Sequence, residues 1–380
     1  MNLELSEEQK LLQKSVREFA ESEVCPLAKE LDETGHFPRE LFKKAAELGL
    51  TGVAFPEAEG GAGFDHLAYT IVIEEISRCC ASTGVILSVQ NSLFCDPIHR
   101  YGTEEQKKKF LLPFTRGEKI GCYALTEPQA GSNAAALQTK AVKQGDTYVI
   151  NGTKAWITNG GVADAAIAYV NTDPARGERG ITAIIVEKGT PGFKIGKEEK
   201  KMGINATACC ELIFSDCTVP VANRIGNEGE GYKVALSTLD GGRIGIAAQA
   251  TGIAQGAFEA ALKWAQERMA FGHPIAQFQA IQFMLADMAT EIDAARLLVR
   301  KAAWKQDSGG RFSLEAATAK LFASEMATRV THKAIQIHGG YGYSREYPVE
   351  RAYRDARITE IYEGTSEIQR LVIASWVLKG

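Results

Sequence analysis

Tyr148–Gly160 reads YVINGTKAWITNG, and the fold class turns on this stretch. β-branched and aromatic residues flank Asn151–Gly152. Asn-Gly is the pair that most readily adopts the positive φ angles of a tight hairpin turn. Two strands joined at that turn are predicted. Downstream, AAIAYVNT (165–172), GITAIIVEK (180–188), GFKIG (192–196) and CELIFSDCTV (210–219) repeat the pattern of short strands between turn residues. Strands at this spacing predict a small β-barrel or sandwich over 121–225.

The flanks have a different texture. In residues 1–120, Ser6 with Gln9 forms a capping-box pattern, and Leu12, Val16 and Phe19 follow at helical spacing. Pro38 starts a helix that should stop near Gly49. EGGAG (59–63) is a loop, a long helix should run from His66 to Cys80, and Thr103 with Gln106 makes a second capping box. Residues 226–380 are alanine-rich and helical, broken at MAFGHPI (269–275), QDSGGRF (306–312) and HGGYGYSREYP (338–348). The chain therefore divides into a helical part, a β part and a helical part.

Bulk properties exclude several classes. With 45% hydrophobic and 24% charged residues the chain has an ordinary globular profile, and its net charge of −4 argues against a nucleic-acid partner. The densest basic run, KEEKK (197–201), contains two glutamates and reads as a solvated turn. No apolar run reaches the roughly 18 residues that span a membrane. With no basic leader at the N-terminus, the protein is expected to be cytoplasmic, or a processed form such as a mitochondrial matrix enzyme. The eight cysteines include the adjacent pairs Cys79–Cys80 and Cys209–Cys210, which suit neither a redox CxxC nor a zinc site. They read as reduced core residues. The six histidines lack metal-ligand spacing, so no metal is expected. There is no Gly-rich dinucleotide fingerprint, P-loop, HExxH or GxSxG.

Three segments carry chemistry. YALTEPQAGSN (123–133) ends a strand and presents Thr126, Glu127, Gly131 and Ser132 in a loop that could line a planar polar ligand or cradle phosphate. In GTKAWITNGG (152–161), Trp156 and Thr158 lie two apart and share a strand face, which suits a flat heteroaromatic ring. In ARITEIYEGTSEIQR (356–370), Glu363 sits in a turn before the last helix, where Gly364 permits close approach of a ligand. Taken singly, each has an ordinary reading: a turn, a core tryptophan, a solvated glutamate near a helix N-terminus. LDGGRIGIAAQATGIAQGA (239–257) is also unusual, a helix with five glycines, each costing about 1 kcal/mol against alanine. Close helix packing or room for a ligand would offset that cost.

Together the segments resemble the acyl-CoA dehydrogenase family over essentially the whole chain. ALTEPQAGSNAAA (124–136) fits one family pattern except at Asn133, where aspartate is usual. QIHGGYGYSREYPVERAYRD (336–355) fits a second throughout, and IYEGTSEIQR (361–370) completes the set. The resemblance is closest to short-chain (butyryl-CoA) members. It implies an α+β fold: an N-terminal helical domain (1–120), a middle β-barrel domain (121–225) and a C-terminal four-helix bundle with the catalytic base (226–380). It implies FAD contacts at Tyr123, Leu125, Thr126 and Ser132, and at Trp156, Ile157 and Thr158. Arg268, Phe271 and Gln279 would serve the diphosphate and adenine end, and Thr365, Ser366 and Glu367 would return to the flavin. Gln336, Ile337, Gly339 and Gly340 would reach a neighbouring subunit's FAD in a homotetramer built as a dimer of dimers. Ser132, Asp240, Gly241, Gly242, Arg243, Tyr362 and Gly364 would contact acyl-CoA, and Glu363 matches the base.

The implied reaction is FAD-dependent α,β-dehydrogenation of a short-chain acyl-CoA to the trans-2-enoyl-CoA, with electrons passed to an electron-transfer flavoprotein. Some branched-chain relatives carry the base in the helix, at the position of Gly242; glycine there and Glu363 in the turn is the common arrangement. Branched or alicyclic substrates, an oxidase re-oxidised by O₂, and a non-catalytic flavoprotein of the same fold are the alternatives.

Overall fold

The computed structural model describes residues 4–379. Helix α1 (Glu7–Phe19) opens on the expected capping box: the Gln9 N–H donates to Ser6 Oγ at 3.2 Å and the Ser6 N–H to Gln9 Oε1 at 3.0 Å. A π-helical turn at Ala20–Val24 leads into α2 (Ala28–Thr34). Helix α3 (Arg39–Glu47) follows Pro38 and ends before Gly49, whose φ of 74° only glycine adopts freely. Helices α4 (His66–Cys79) and α5 (Ala81–Ser88) are apolar almost all round and nearly wholly buried. The short helices α6 (Asp96–Tyr101), α7 (Glu104–Gln106) and α8 (Leu112–Thr115) complete this part, α7 opening on the second capping box.

Eight strands follow: β1 (Gly121–Ala124), β2 (Lys140–Gln144), β3 (Thr147–Ile157), β4 (Ala165–Asn171), β5 (Ile181–Glu187), β6 (Phe193–Glu198), β7 (Cys210–Pro220) and β8 (Arg224–Ile225). They form one sheet in the order β6-β7-β3-β2-β4-β5-β8, with β1 parallel to β4. KEEKK is mostly exposed, but its first two residues end β6. Strand β4 is buried on both sides because its residues alternate between two cores. Ala165, Ile167 and Tyr169 meet Phe94 and Phe114 of the helical part, while Ala166, Ala168 and Val170 face Tyr148, Ile184 and Leu212 inside the curved sheet.

Asn151–Gly152 is not a hairpin turn. Strand β3 runs straight through it, and the turn between β2 and β3 is Gly145–Asp146, two residues after Lys143. Asn151 and Gly152 instead mark a shift in register against β7, where the Asp216 N–H donates to Asn151 Oδ1 at 2.8 Å. A Cβ at Gly152 would fall 2.7 Å from Thr139 Cα, so the glycine serves close backbone approach. Both Asn-Gly and Gly-Asp accept positive φ, and the hydrophobic register chose between them.

The last part contains α9 (Gly231–Glu267), a two-stranded ribbon of β9 (Met269–Ala270) and β10 (His273–Pro274), then α10 (Gln279–Asp307), α11 (Ser313–His338), α12 (Pro348–Ile358) and α13 (Ser366–Val377). Helix α9 packs on α4 and α5 at one side and on α10, α11 and α12 at the other, while α13 packs as a fifth helix on α11. The two helical parts thus share one core. Three of the five glycines in the 239–257 stretch of α9 explain the contact with α4: a Cβ at Gly245 would meet Tyr69 Oη at 2.3 Å, at Gly252 the Glu74 carbonyl at 2.2 Å, and at Gly256 the Arg78 carbonyl at 2.2 Å.

The cysteines depart from expectation in one place. Cys25, in the 3-10 turn before α2, is disulfide-bonded to Cys79 at the end of α4; the other six are free and buried. The fold brings the two Cα atoms to 4.7 Å across a separation of 54 residues, which no spacing in the sequence announces. Among the described residues no helix is long and apolar enough to cross a membrane.

Candidate active site

The segment between α12 and α13 is a tight turn held from three helices. Glu363 has φ 54° and Gly364 has φ 98°. The left-handed region costs a non-glycine residue about 1 kcal/mol or more, so Glu363 is held there by its surroundings. From α11, Lys320 Nζ donates to the Gly364 carbonyl at 2.7 Å. From α13, Gln369 Nε2 donates to the same oxygen at 2.9 Å and to the Glu363 carbonyl at 3.4 Å. From α9, Arg243 Nε lies 3.5 Å from the Glu363 carbonyl. Thr365 then caps α13, its hydroxyl accepting from the Ile368 N–H.

The backbone is pinned but the carboxylate is not. Glu363 Oε2 is buried with no hydrogen-bond partner. Burial pushes the carboxyl up to about 7, against the opposing pull of Lys320 and Arg243. A fourth α9 glycine explains how the group fits. A Cβ on Gly242 would stand 2.1 Å from Glu363 Oε2 and 2.8 Å from Leu93 Cδ2. Gly241, by contrast, meets only Gln306 Nε2 at 3.7 Å, so no packing requires it. Two residues before Gly242, Asp240 accepts from Arg243 Nη1 at 2.7 Å and from Ser313 Oγ at 2.5 Å. Tyr362 donates to Gln249, and the Tyr69 and Ser88 hydroxyls pair at 2.9 Å. Asp240, Gly242, Arg243, Glu363 and Gly364 are thus brought together, with Tyr362 adjoining. Ser366 is buried, with its hydroxyl unpartnered, and Glu367 points outward.

On the sheet side, the Ala155 N–H donates to the Thr126 carbonyl at 2.9 Å, so the loop after β1 lies against the end of β3. Leu125 is buried, Tyr123 and Thr126 are half-buried, and Ser132 is exposed. Trp156 is 57% exposed with φ 61°, at a second register shift of β3. It shares an outward side with Thr158, Ile157 being buried between them, but a bulge rather than plain strand pleating turns it out, and Thr158 lies beyond the strand. Glu127, read from the sequence as part of the loop's ligand surface, points inward. Its carboxylate accepts from the Gln138 and Thr139 N–H groups at 2.6 and 2.9 Å and from Lys154 Nζ at 2.7 Å. Burial raises its pKa, but Lys154 and those N–H groups outweigh burial and hold it below the usual value. Lys154 is fully buried and also donates to the Leu125 carbonyl at 3.1 Å.

A second cluster lies at the far end of α9. Arg268, Ile337, Gly339 and Gly340 line a cavity of about 480 Å³ together with Trp264, Ile275, His338 and Tyr341. The Arg268 guanidinium lies 5.4 Å from the Tyr341 ring centroid, and Trp264 stacks on His338 at 5.1 Å. A Cβ on Gly339 or Gly340 would meet nothing within 4 Å, so their backbone is open to a ligand. Gln279, at the start of α10, and Gln336 are exposed, and Phe271 is 93% exposed with its ring edge on Phe278. From Gly242 to Arg268 the helical rise of 1.5 Å per residue amounts to about 39 Å. Arg268 therefore belongs with Ile337–Gly340 and not with the Glu363 end of its own chain. The sequence reading missed Lys320, Gln369, Lys154 and the inward role of Glu127; a lysine within an apolar helical stretch, as in Lys320 of ATAKLFA (317–323), was the available signal.

Comparison with known proteins agrees along the whole chain. The acyl-CoA dehydrogenase N-terminal, middle and C-terminal domain profiles match residues 6–118, 122–217 and 229–378. A short-chain specific acyl-CoA dehydrogenase of Clostridium acetobutylicum is 53% identical over 379 residues, covering 100% of both chains. The butyryl-CoA dehydrogenase structure from Megasphaera elsdenii superimposes with a TM-score of 0.98 at 48% identity, again over 100% of both chains. A chain from the structure of the electron transferring flavoprotein of Acidaminococcus fermentans, described in work on flavin-based electron bifurcation, matches with a TM-score of 0.99 at 49% identity over 100% of both. With all three of its domains matched in order and more than half its residues shared with a full-length relative, this chain belongs to the acyl-CoA dehydrogenase family.

Proposed function

We propose that this protein is an FAD-dependent dehydrogenase that converts a short-chain acyl-CoA to its trans-2-enoyl-CoA and passes the electrons to an electron-transfer flavoprotein. The observation that carries the reading is Glu363, a carboxylate with a buried, unpartnered oxygen, held in a left-handed turn opposite a glycine. Its pKa of about 7 suits a general base at neutral pH, where Brønsted behaviour favours a group that titrates near the working range. In this reading Glu363 Oε2 takes the α-proton of the thioester. The Glu363 N–H donates to the thioester carbonyl and stabilises the charge that builds on it, an effect typically worth about 3 kcal/mol per donor. The clamp by Arg243, Lys320 and Gln369 keeps N–H and carboxylate in fixed relation, which supplies alignment.

The residues present fit FAD. Trp156 offers an exposed indole beside Thr158, and the Thr126 loop adjoins the end of that strand; Tyr123, Leu125, Ser132 and Ile157 are assigned to the same cofactor, as are Thr365, Ser366 and Glu367 at the start of α13. FAD, when bound, supplies the two-electron acceptor that the chain's own side chains lack. Arg268, with the open backbone of Gly339 and Gly340 and with Ile337 in the same cavity, suits a diphosphate, and Phe271, Gln279 and Gln336 are assigned to the same end of the cofactor. The span of about 39 Å along α9 is more than one dinucleotide covers, which supports a homo-oligomer in which that cavity serves a neighbouring subunit's FAD. A tetramer and a cytoplasmic location belong to the same proposal, tested by ultracentrifugation and by cell fractionation. Ser132, Asp240, Gly241, Gly242, Arg243, Tyr362 and Gly364 are assigned to acyl-CoA. Support for a short chain comes from the relatives and from the paired Tyr69–Ser88 side chains, which crowd the space beside Gly245. The electron-transfer partner is supported by the near-superposition on the chain from the Acidaminococcus structure.

Anaerobic mixing of the FAD-loaded protein with butyryl-CoA tests the reading. The visible band of oxidised flavin should bleach rapidly, fading as chain length grows. Glu363→Gln should keep FAD and lose bleaching by several orders of magnitude. Near-normal bleaching in that variant would sink the assignment of the base; no bleaching of wild type by any thioester would sink the activity.

A further inference from the structure

Lys320 enters the chemistry above only as one donor of the backbone clamp, yet it is the fully buried cation of α11 and it ends at the catalytic turn. Its Nζ donates to the Gly364 carbonyl at 2.7 Å while Glu363 Oε2, one residue back, stays unpartnered. Burying an ammonium without an ion partner in contact is costly, and a lone carbonyl could be satisfied by an uncharged donor. Gln369 already supplies such a donor, at 2.9 Å to the same oxygen. A merely structural clamp on Gly364 therefore does not require a charge. The arrangement differs from a salt bridge in a way that matters for a base: an ammonium bonded to the carboxylate would occupy the lone pair that must receive a proton, whereas one bonded to the neighbouring carbonyl leaves it free.

We infer that Lys320 is a positioning residue for Glu363, fixing the turn through the Gly364 carbonyl and supplying the buried positive charge that keeps the carboxylate ionised without contacting it. The inference rests on the reading of Glu363 as the base. The groups that bear on Glu363 come from every element around it. Arg243 of α9 adds a second positive charge, itself paired with Asp240 at 2.7 Å. Tyr69 of α4, Tyr123 of β1 and the adjoining Tyr362 are neutral phenols whose ionisation Glu363 opposes. Glu360 and Glu367 favour the charged form of Lys320, and Arg243 opposes it. Burial lowers the Lys320 pKa to about 7, with Glu363 resisting that fall, so lysine and glutamate titrate as a coupled pair near neutrality.

Removing the charge should move the Glu363 midpoint upward, because desolvation then acts with only Arg243 against it. In the FAD-loaded enzyme, the rate of flavin reduction by butyryl-CoA should rise with pH through about 7 in wild type. In Lys320→Met the midpoint should lie about one pH unit higher, giving a loss of about tenfold at pH 6 and little loss at pH 9. Lys320→Gln keeps a donor for the Gly364 carbonyl without the charge; it should share the pH shift and serves if the methionine variant does not fold. A readout independent of turnover is the melting temperature: Glu363→Gln at pH 8 should stabilise the Lys320→Met protein more than it stabilises wild type. If both Lys320 variants keep the wild-type midpoint, or if Glu363→Gln stabilises both backgrounds equally, Lys320 is only a packing residue and the inference is overturned. Near-normal reduction by Glu363→Gln would instead remove the base reading itself, a result visible in the wild-type background alone.

Discussion

Gly242→Ala adds one methyl group at the point where the structure leaves least room. The new Cβ would fall 2.1 Å from Glu363 Oε2, 3.1 Å from Glu363 Cδ and 2.8 Å from Leu93 Cδ2. An ordinary contact is nearer 3.4 Å, so the carboxylate must retreat by roughly 1 Å. It is the far end of a flexible side chain, and the retreat is cheap in stability. Alanine also gains about 1 kcal/mol over glycine inside a helix, which offsets an overpacking cost of about 1–3 kcal/mol. The melting temperature should stay close to wild type. The rate should not, because a displacement of about 1 Å of a catalytic group costs on the order of 100-fold. Stopped-flow reduction of the bound flavin by butyryl-CoA measures the rate, and differential scanning calorimetry the stability. Gly252→Ala, ten residues along the same helix, gives the opposite expectation. There the Cβ meets the Glu74 backbone carbonyl at 2.2 Å, which cannot retreat without moving α4. That variant should lose about 2 kcal/mol or more and still reduce at a normal rate wherever it is folded. If Gly242→Ala reduces within twofold of wild type, the claim that this glycine makes room for Glu363 is wrong.

The Glu363 carboxyl should also be visible in the stability of the protein. Its folded pKa of about 7 lies above the unfolded value of 4.5, so the folded state binds the proton more tightly, and ionised Glu363 destabilises the fold as pH rises through that window. Glu363→Gln should therefore raise the stability at pH 8, by about 3 kcal/mol at most, and the gain should vanish below pH 4.5, as urea titrations at the two pH values will report. Lys154→Met leaves Glu127 buried without its cation; a loss of about 3–5 kcal/mol is expected, together with weaker retention of FAD because the Leu125 carbonyl loses its donor, checked by thermal melts and by flavin released on dilution.

Much of the architecture could be read from local pattern. The capping boxes at Ser6 and Thr103, the stop at Gly49 and the breaks near Met269, Gln306 and His338 are signals in which one or two side chains satisfy nearby backbone groups, so a window of a few residues contains the whole cause. The position of Glu363 in a turn was legible for the same reason, since Gly364 and the Thr365 cap are adjacent to it. Asn151–Gly152 shows the limit: the dipeptide permits a hairpin turn, but the pairing of β3 with β7 made it a bulge and gave the turn to Gly145–Asp146.

The sequence alone determined the order of helical and β parts, the family resemblance and the identity of the candidate base, because each rests on residues close together in the chain. Tertiary structure alone decided what that base is. Gly242, Arg243 and Lys320 reach Glu363 from positions 121, 120 and 43 residues away, and only the packing of α9 and α11 around the turn buries its oxygen and raises its pKa to about 7. Packing elsewhere in the fold turned Glu127 inward onto Lys154 of β3 and joined Cys25 to Cys79 of α4. Desolvation and through-space charge depend on distance in three dimensions, and no spacing along the chain encodes that distance.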